Sequence, residues 1–263
     1  MRMLVTLIFV ASFALIKQTA AQTPAQAPAK PKPVAPAAGA AGKPAAASYD
    51  RTLLRPSMLK EKAPETFQVK FETTRGDFTM DVTRAWAPIG VDRFYNLVKH
   101  HFFDNMVAYR VHAGFVVQFG ISSYPAVSAA WRNSDIKDDP VTQSNKRGFV
   151  TFAQTPRPNS RSTQIFINFT DNSFLDSKGF APFATVDPAG MKVVEMLYDQ
   201  YGEQPTEEQD QISKLGKAYL DSKYPKLDVI KRATVVGAAA AAAPAKSAAT
   251  KPKAAAPVAT KPH

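Results

Sequence analysis

The chain contains no cysteine among its 263 residues. This absence excludes disulfides, a thiol nucleophile, thiolate metal sites and acylation of an N-terminal cysteine. A protein without thiols cannot mispair them in an oxidising compartment, so the composition is compatible with export.

Histidine is almost as scarce, and the four histidines include no group with the spacing of metal ligands. The sequence also has no glycine-rich phosphate loop and no serine in a nucleophile elbow. Asp138 and Asp139 precede Pro140, which is typical of a turn rather than of a paired-carboxylate site. These absences argue against covalent, metal-dependent and acid–base chemistry, and we expect no cofactor and no metal.

The N-terminal residues have the pattern of a secretion signal. A positive charge at Arg2 is followed by an apolar run from Met3 to Ile16, and small residues stand before and at Ala21. The run is shorter than the roughly 20 residues that span a bilayer, although an uncleaved anchor is the alternative. We therefore predict a signal peptide over residues 1–21, cleavage near Ala21, and an exported protein that is periplasmic or secreted.

Two segments rich in Ala, Pro and Lys flank the middle of the chain: a linker over residues 22–66 and a disordered tail over residues 237–263. Their prolines disfavour helix. The net charge is +11, but most of the excess lies in these basic arms, so we expect no specific nucleic-acid binding. Solubilising spacers are the simplest interpretation; weak contact with anionic envelope polymers or lipids is the alternative.

Residues 67–236 have the patterns of one folded domain. Phe67–Thr73 and Phe78–Val82 alternate apolar and polar residues around a turn, which predicts a β-hairpin. Pro88–Phe103 has apolar residues at helical spacing. Further helices are predicted over Gly190–Tyr201 and Glu207–Ser222, the last with a capping box that begins at Thr206. Because many short strand-like segments accompany few helices, the pattern predicts a mainly β, closed antiparallel barrel.

Three blocks follow one another in the middle of this domain. Tyr109–Gln118 combines an arginine, a glycine turn, a phenylalanine and a glutamine, and Gly148–Asn168 has two strand-like runs around an Asn/Pro loop. Asn172–Phe183 contains an aromatic-Leu-Asp turn before another strand. In this order the blocks resemble the cyclophilins, a family of peptidyl-prolyl cis/trans isomerases, and the resemblance extends over residues 67–236.

The resemblance implies an eight-stranded closed antiparallel barrel with helices capping its ends, here with an extra C-terminal helix. It also implies that Arg110 is the catalytic residue and that proline-containing polypeptides are the partners. The remaining implied site residues bind the substrate through an apolar proline pocket and polar contacts to the peptide: Phe115, Val116, Gln118, Ala153, Gln154, Gln164, Phe166, Phe174 and Leu175. Phe174 stands where many members have tryptophan, which the resemblance associates with strong cyclosporin binding.

A site of this composition suits rotation about an X-Pro bond. The rotation breaks no bond, so it needs no nucleophile, and a permanently charged guanidinium can stabilise the amide nitrogen as it becomes pyramidal. The leading hypothesis is therefore an isomerase that acts on exported proteins. The alternatives are a proline-peptide-binding chaperone or scaffold with little turnover, and an envelope-attached protein whose function lies in the arms.

Overall fold

The computed structural model describes residues 49–237. The predicted signal peptide, most of the predicted linker and all but the first residue of the predicted tail lie outside the described residues, so these assignments stay predictions. Among residues 49–237, no helix combines the length and the apolarity that a membrane span requires.

The described region forms one antiparallel sheet with helices packed around it. The nine strands are β1 (Thr66–Thr73), β2 (Gly76–Thr83), β3 (Met106–Val107), β4 (Arg110–His112), β5 (Val116–Phe119), β6 (Phe149–Phe152), β7 (Ile165–Asn168), β8 (Pro182–Val186) and β9 (Val229–Val236). The α-helices are α1 (Pro88–Lys99), α2 (Pro125–Trp131), α3 (Pro188–Val194), α4 (Gln209–Leu215) and α5 (Lys217–Lys223). Short 3-10 helices complete the described elements: Arg51–Leu54, Pro56–Met58, Arg84–Trp86, Ser173–Lys178 and Gln204–Glu208.

The strand order is β3-β9-β1-β2-β8-β6-β7-β5-β4. The two edge strands, β3 and β4, are separated along the chain only by Ala108 and Tyr109. Because the three steps from Val107 to Arg110 span at most about 11 Å, the sheet curls so that these ends of its edge strands lie near each other. The mainly β antiparallel fold is as predicted. Within residues 49–237 the strand count is nine rather than the predicted eight, since β3 and β4 are separate strands that pair with β9 and β5. Closure by a ladder between β3 and β4 stays a prediction.

The predicted hairpin is present as β1 and β2, whose register runs from Thr66 opposite Thr83 to Thr73 opposite Gly76. Two predicted helices are too long. The first ends at Lys99 instead of Phe103, because His101 takes a positive φ of 59°. The predicted helix over Gly190–Tyr201 is α3, which starts at Pro188 and ends at Val194.

The predicted C-terminal helix over Glu207–Ser222 is wrong as a single element. It is a 3-10 turn followed by α4 and α5, which are separated at Gly216. Gly216 has a φ of +67°, and a Cβ there would lie 2.3 Å from the carbonyl oxygen of Ser123, so the backbone approach needs a glycine. The predicted capping box is also wrong, because α4 begins after Glu208 without a side-chain cap.

Residues 49–65, which the sequence assigned to the linker, pack on the domain. Leu53 and Ala63 are buried in the main core, and the indole nitrogen of Trp131 donates to the Leu53 carbonyl over 2.8 Å. The folded region therefore begins before residue 67. The core itself lies inside the curled sheet and includes a cluster of aromatic rings around Phe71.

Candidate active site

The hairpin of β4 and β5 positions Arg110, the predicted catalytic residue. Arg110 and Gln118 are direct cross-strand partners, and Gln118 is in turn paired with Phe166 of β7. Directly paired residues of an antiparallel sheet project on the same face. The backbone register therefore brings the cation, the amide and the aromatic ring into one row.

Hydrogen bonds connect the polar members of this row. Nη1 of Arg110 donates to Oε1 of Gln118 over 2.8 Å, and Nε2 of Gln118 donates to Oε1 of Gln164 over 2.8 Å. The hydroxyl of Tyr109 donates to the same oxygen of Gln164. Burial raises the pKa of Tyr109, so its hydroxyl keeps the proton that it donates. The chain of donors fixes the direction in which each amide points.

The apolar side of the site is a small cluster separate from the main core. Val116, Phe166 and Leu175 are buried in it, and Phe115, Ala153 and Phe180 pack against them. Together with the polar row they enclose a pocket of about 240 Å³. Its lining residues are Arg110, Phe115, Val116, Gln118, Ala153, Gln154, Phe166, Leu175, Phe180, Thr206 and Gln209. Eight of the ten predicted site residues thus line one pocket.

The other two predicted residues lie beside this pocket. Gln164 lines a neighbouring cavity of about 400 Å³ that shares Gln118, Ala153, Gln154 and Gln209 with the first. Phe174 is 53% exposed, and its ring stacks on that of Phe115 with centroids 6.2 Å apart. It therefore lies at the rim of the pocket.

The segment between β5 and β6 contributes to the neighbouring cavity. Ser122, Ser128, Trp131 and Arg132, in and around α2, form part of its wall. Three residues of α4, which packs against α2, also line it: Gln209, Asp210 and Ser213. The groove next to the proline-sized pocket is therefore shaped by α2 and α4.

A partly buried carboxylate holds together two of the segments that line the pocket. Asp176 accepts hydrogen bonds from the Ser144 hydroxyl over 2.5 Å and from the backbone and side-chain nitrogens of Asn145 over 2.9 and 2.8 Å. Asn145 also donates to the carbonyl of Phe180. Burial opposes ionisation, but these hydrogen bonds hold the pKa of Asp176 below its usual range. Through Asn145, the turn that carries Leu175 is thereby tied to the backbone of Phe180, just before β8.

Two oxygens at the pocket lack a partner within the described part of the chain. Oε1 of Gln154 is buried and accepts no hydrogen bond there, and the buried Oγ1 of Thr206 forms none either. A buried polar atom without a partner is costly, so both are sites at which a ligand gains by supplying one.

Sequence reasoning missed the part of the site that follows α3. Oε1 of Glu203 accepts from Nε and Nη2 of Arg110 over 2.9 and 2.7 Å and contacts Nδ1 of His112 over 2.5 Å. Partial burial works against the charge, but the hydrogen bonds from Arg110 and His112 hold the pKa of Glu203 below its usual range. No local pattern marks Glu203, which lies 93 residues from Arg110 along the chain.

Comparison with known proteins shows the family to which this fold belongs. The family model described as "Cyclophilin type peptidyl-prolyl cis-trans isomerase/CLD" matches residues 68–217. A peptidyl-prolyl cis-trans isomerase of Acinetobacter baylyi is 31% identical over 148 residues, which are 53% of this chain and 76% of that protein. Peptidyl-prolyl cis-trans isomerase B of Escherichia coli is 31% identical over 137 residues, 49% of this chain and 82% of the relative.

Among solved structures, a cyclophilin from Hirschia baltica matches with a TM-score of 0.49 and 16% identity, over 69% of this chain and 78% of its own.

The match of the family model over more than half of the chain defines the class. The chain belongs to the cyclophilin-type peptidyl-prolyl cis-trans isomerases and is an enzyme of that kind.

Proposed function

We propose that the chain accelerates cis/trans rotation of X-Pro bonds by electrostatic stabilisation from Arg110 above an apolar proline pocket. The observation that carries the proposal is the placement of the Arg110 guanidinium in the wall of the same 240 Å³ pocket that Val116, Phe166 and Leu175 line. Within the described residues, no cluster of His, Cys, Asp or Glu has the arrangement of a metal site.

The chemistry follows from the nature of the amide. Resonance stiffens the C–N bond, and the barrier to rotation is about 18–20 kcal/mol. In the twisted transition state the proline nitrogen is pyramidal and carries a lone pair. An N–H of Arg110 donates to that lone pair, and the guanidinium is charged at any physiological pH.

The pocket contributes by holding one side of the bond. Phe166, Val116 and Leu175 surround the proline ring and exclude water, so the acyl side turns against a fixed ring. Oε1 of Gln154 and Oγ1 of Thr206, both without a protein partner, are suited to hold the polar groups of the peptide. Gln118, Gln164 and Ala153 complete the peptide-binding wall. Proline-containing polypeptides are therefore the proposed substrates.

The compartment is a separate proposal. The signal-like residues 1–21 support export and action on exported proteins in the periplasm or outside the cell. N-terminal sequencing of the protein recovered from cell fractions tests it. A mature chain that begins at or near Gln22 outside the cytoplasm is expected, and an intact N-terminus in the cytoplasm contradicts it.

The activity is tested by NMR exchange spectroscopy on an X-Pro peptide with catalytic amounts of the protein. Exchange between cis and trans well above the uncatalysed rate is expected. An X-Ala peptide, which has no proline ring to fill the pocket, is the control for peptide binding. Peptide binding with exchange at the uncatalysed rate contradicts the proposal and favours the chaperone or scaffold instead.

A further inference from the structure

The segment that follows α3 crosses the sheet edge beside Arg110. Gly202 forms an isolated antiparallel bridge with Val111 of β4, and Gly202 has a φ of +52°. Pro205, three residues further on, is buried. The segment is thereby anchored on both sides of Glu203. This anchoring directs the Glu203 carboxylate towards the guanidinium of Arg110 on β4.

The carboxylate and the amide of Gln118 hold different edges of the guanidinium. One oxygen, Oε1 of Glu203, accepts from Nε and Nη2, whereas Gln118 accepts from Nη1. Arginine has five N–H donors in a planar fork, so three are used here and two remain, one on each terminal nitrogen. The plane of the cation is therefore fixed while donors are left for another acceptor.

A third contact restrains the same group. The central carbon of the guanidinium lies 5.4 Å from the ring centroid of Phe115, which is within the range of a cation–π interaction. The Arg110 side chain is only 19% exposed. A long side chain that is held at two edges and against a ring has lost its rotamer freedom before any peptide binds.

We propose that Glu203 is a positioning residue that holds Arg110 in the orientation required for isomerisation. This inference rests on the proposed role of Arg110. A fixed donor stabilises a developing lone pair without reorganising during the reaction, which is the source of most electrostatic catalysis. Glu203 contributes through the hydrogen bonds of Oε1, so an uncharged side chain with the same oxygen retains part of its effect.

The test compares three substitutions by NMR exchange at saturating peptide and by peptide affinity. Glu203→Ala removes the acceptor and is expected to lower the catalysed rate about tenfold with little change in affinity, as misplacement of a catalytic group does. Glu203→Gln keeps the oxygen and is expected to lose about twofold. Glu207→Ala is the matched control, because Glu207 is an exposed acidic residue of the 3-10 helix that follows Glu203, and it is expected to match the wild type.

A double-mutant cycle with Arg110→Ala shows whether Glu203 acts through the arginine. In that background Glu203→Ala is expected to have no further effect on the rate. An equal loss with and without Arg110, or a rate for Glu203→Ala at or above that of the wild type, overturns the inference. If Arg110→Ala itself leaves the rate unchanged, the proposed function fails as well, so the two failures are distinguishable.

The arginine Nε–H resonance supplies a readout that is independent of activity. In the wild type we expect a slowly exchanging Arg110 Nε–H signal, assigned by its disappearance in Arg110→Ala. The signal is expected to persist in Glu203→Gln and to become fast-exchanging in Glu203→Ala. A protected signal that is unchanged in Glu203→Ala contradicts the proposed contact.

Discussion

Arg110 donates through Nη1 to Oε1 of Gln118, its direct partner across β4 and β5, over 2.8 Å. The pairing continues from Gln118 to Phe166 on β7. A single transverse row of the sheet therefore contains the cation, the amide that orients it and a wall of the pocket. The mechanism proposed above needs these three groups side by side, and the antiparallel register supplies that arrangement without any contribution from loops.

The pocket wall predicts a loss of both stability and activity for Phe166→Ala. The ring is 4% exposed, and its removal is expected to cost about 3 kcal/mol of unfolding free energy. It is also expected to lower kcat/KM about thirtyfold, because the proline ring loses a packed surface. Denaturant unfolding and the isomerase assay measure the two effects.

Phe149→Ala is the matched control for that substitution. Phe149 stacks on Trp86, away from the pocket, so its loss is expected to reduce stability while the activity of the folded protein is retained. Equal kcat/KM in Phe166→Ala and Phe149→Ala would show that the cluster of Val116, Phe166 and Leu175 does not hold the proline.

The rim residue predicts weak cyclosporin binding. Phe174 is half exposed and has no hydrogen-bonding group, whereas the tryptophan common in the family offers a larger surface and an N–H donor. Phe174→Trp is expected to tighten cyclosporin inhibition at least about tenfold, which one added hydrogen bond with its apolar contact can supply. The same inhibition constant in both proteins would contradict this account of the rim.

The ion pair at the site predicts a pH dependence of stability. The pKa of Glu203 in the folded protein lies below its ordinary 4.5, because hydrogen bonds from Arg110 and His112 outweigh the effect of partial burial. A depressed carboxyl pKa contributes stability above the unfolded pKa and loses it as the pH falls through the folded one. The contribution is therefore complete above about pH 5 and disappears in more acidic solution.

Denaturant unfolding of the wild type and Glu203→Gln between pH 7 and pH 3 measures this contribution. The wild type is expected to be the more stable protein at neutral pH, and the two curves are expected to converge at the acid end. A difference in unfolding free energy that stays constant over the whole range would refute the role of the carboxylate charge.

A buried ion pair at the start of α1 predicts a large effect on stability. Asp139 accepts from the backbone nitrogens of Ile89 and Gly90 over 3.0 and 2.8 Å and from Nη1 of Arg161 over 3.0 Å. Both charged side chains are almost fully buried. Asp139→Ala leaves the buried Arg161 with only the longer contact to Asp138, whose Oδ1 lies 3.5 Å from Nε. It also leaves the two backbone donors without an acceptor, so a loss of about 3 kcal/mol in unfolding free energy is expected. A loss no larger than that of the exposed Glu207→Ala would contradict it.

The β1–β2 hairpin and the pocket residues were accessible to sequence reasoning for a physical reason. Alternation of apolar and polar residues shows which side chains of β1 and β2 face the core. Arg110, Gln118 and Phe166 lie on strands within the three sequence blocks that resemble the cyclophilins, so the resemblance indicated them. Glu203 and Gln209 were not accessible, because they reach the site through the Val111–Gly202 bridge and the packing of α4 against α2. Helical periodicity also gave no sign of the break at Gly216, which depends on a contact with Ser123.

The measurement that tests the central claim most directly is the rate of cis/trans exchange within the peptide-bound state, by NMR at saturating X-Pro peptide, for the wild type and Arg110→Ala. We predict that the variant binds the peptide with similar affinity, because the apolar pocket is intact. Its bound-state exchange is expected to be slower by about a hundredfold, the loss typical of removing one preorganised donor. Exchange at the wild-type rate in folded, peptide-saturated Arg110→Ala would contradict the account.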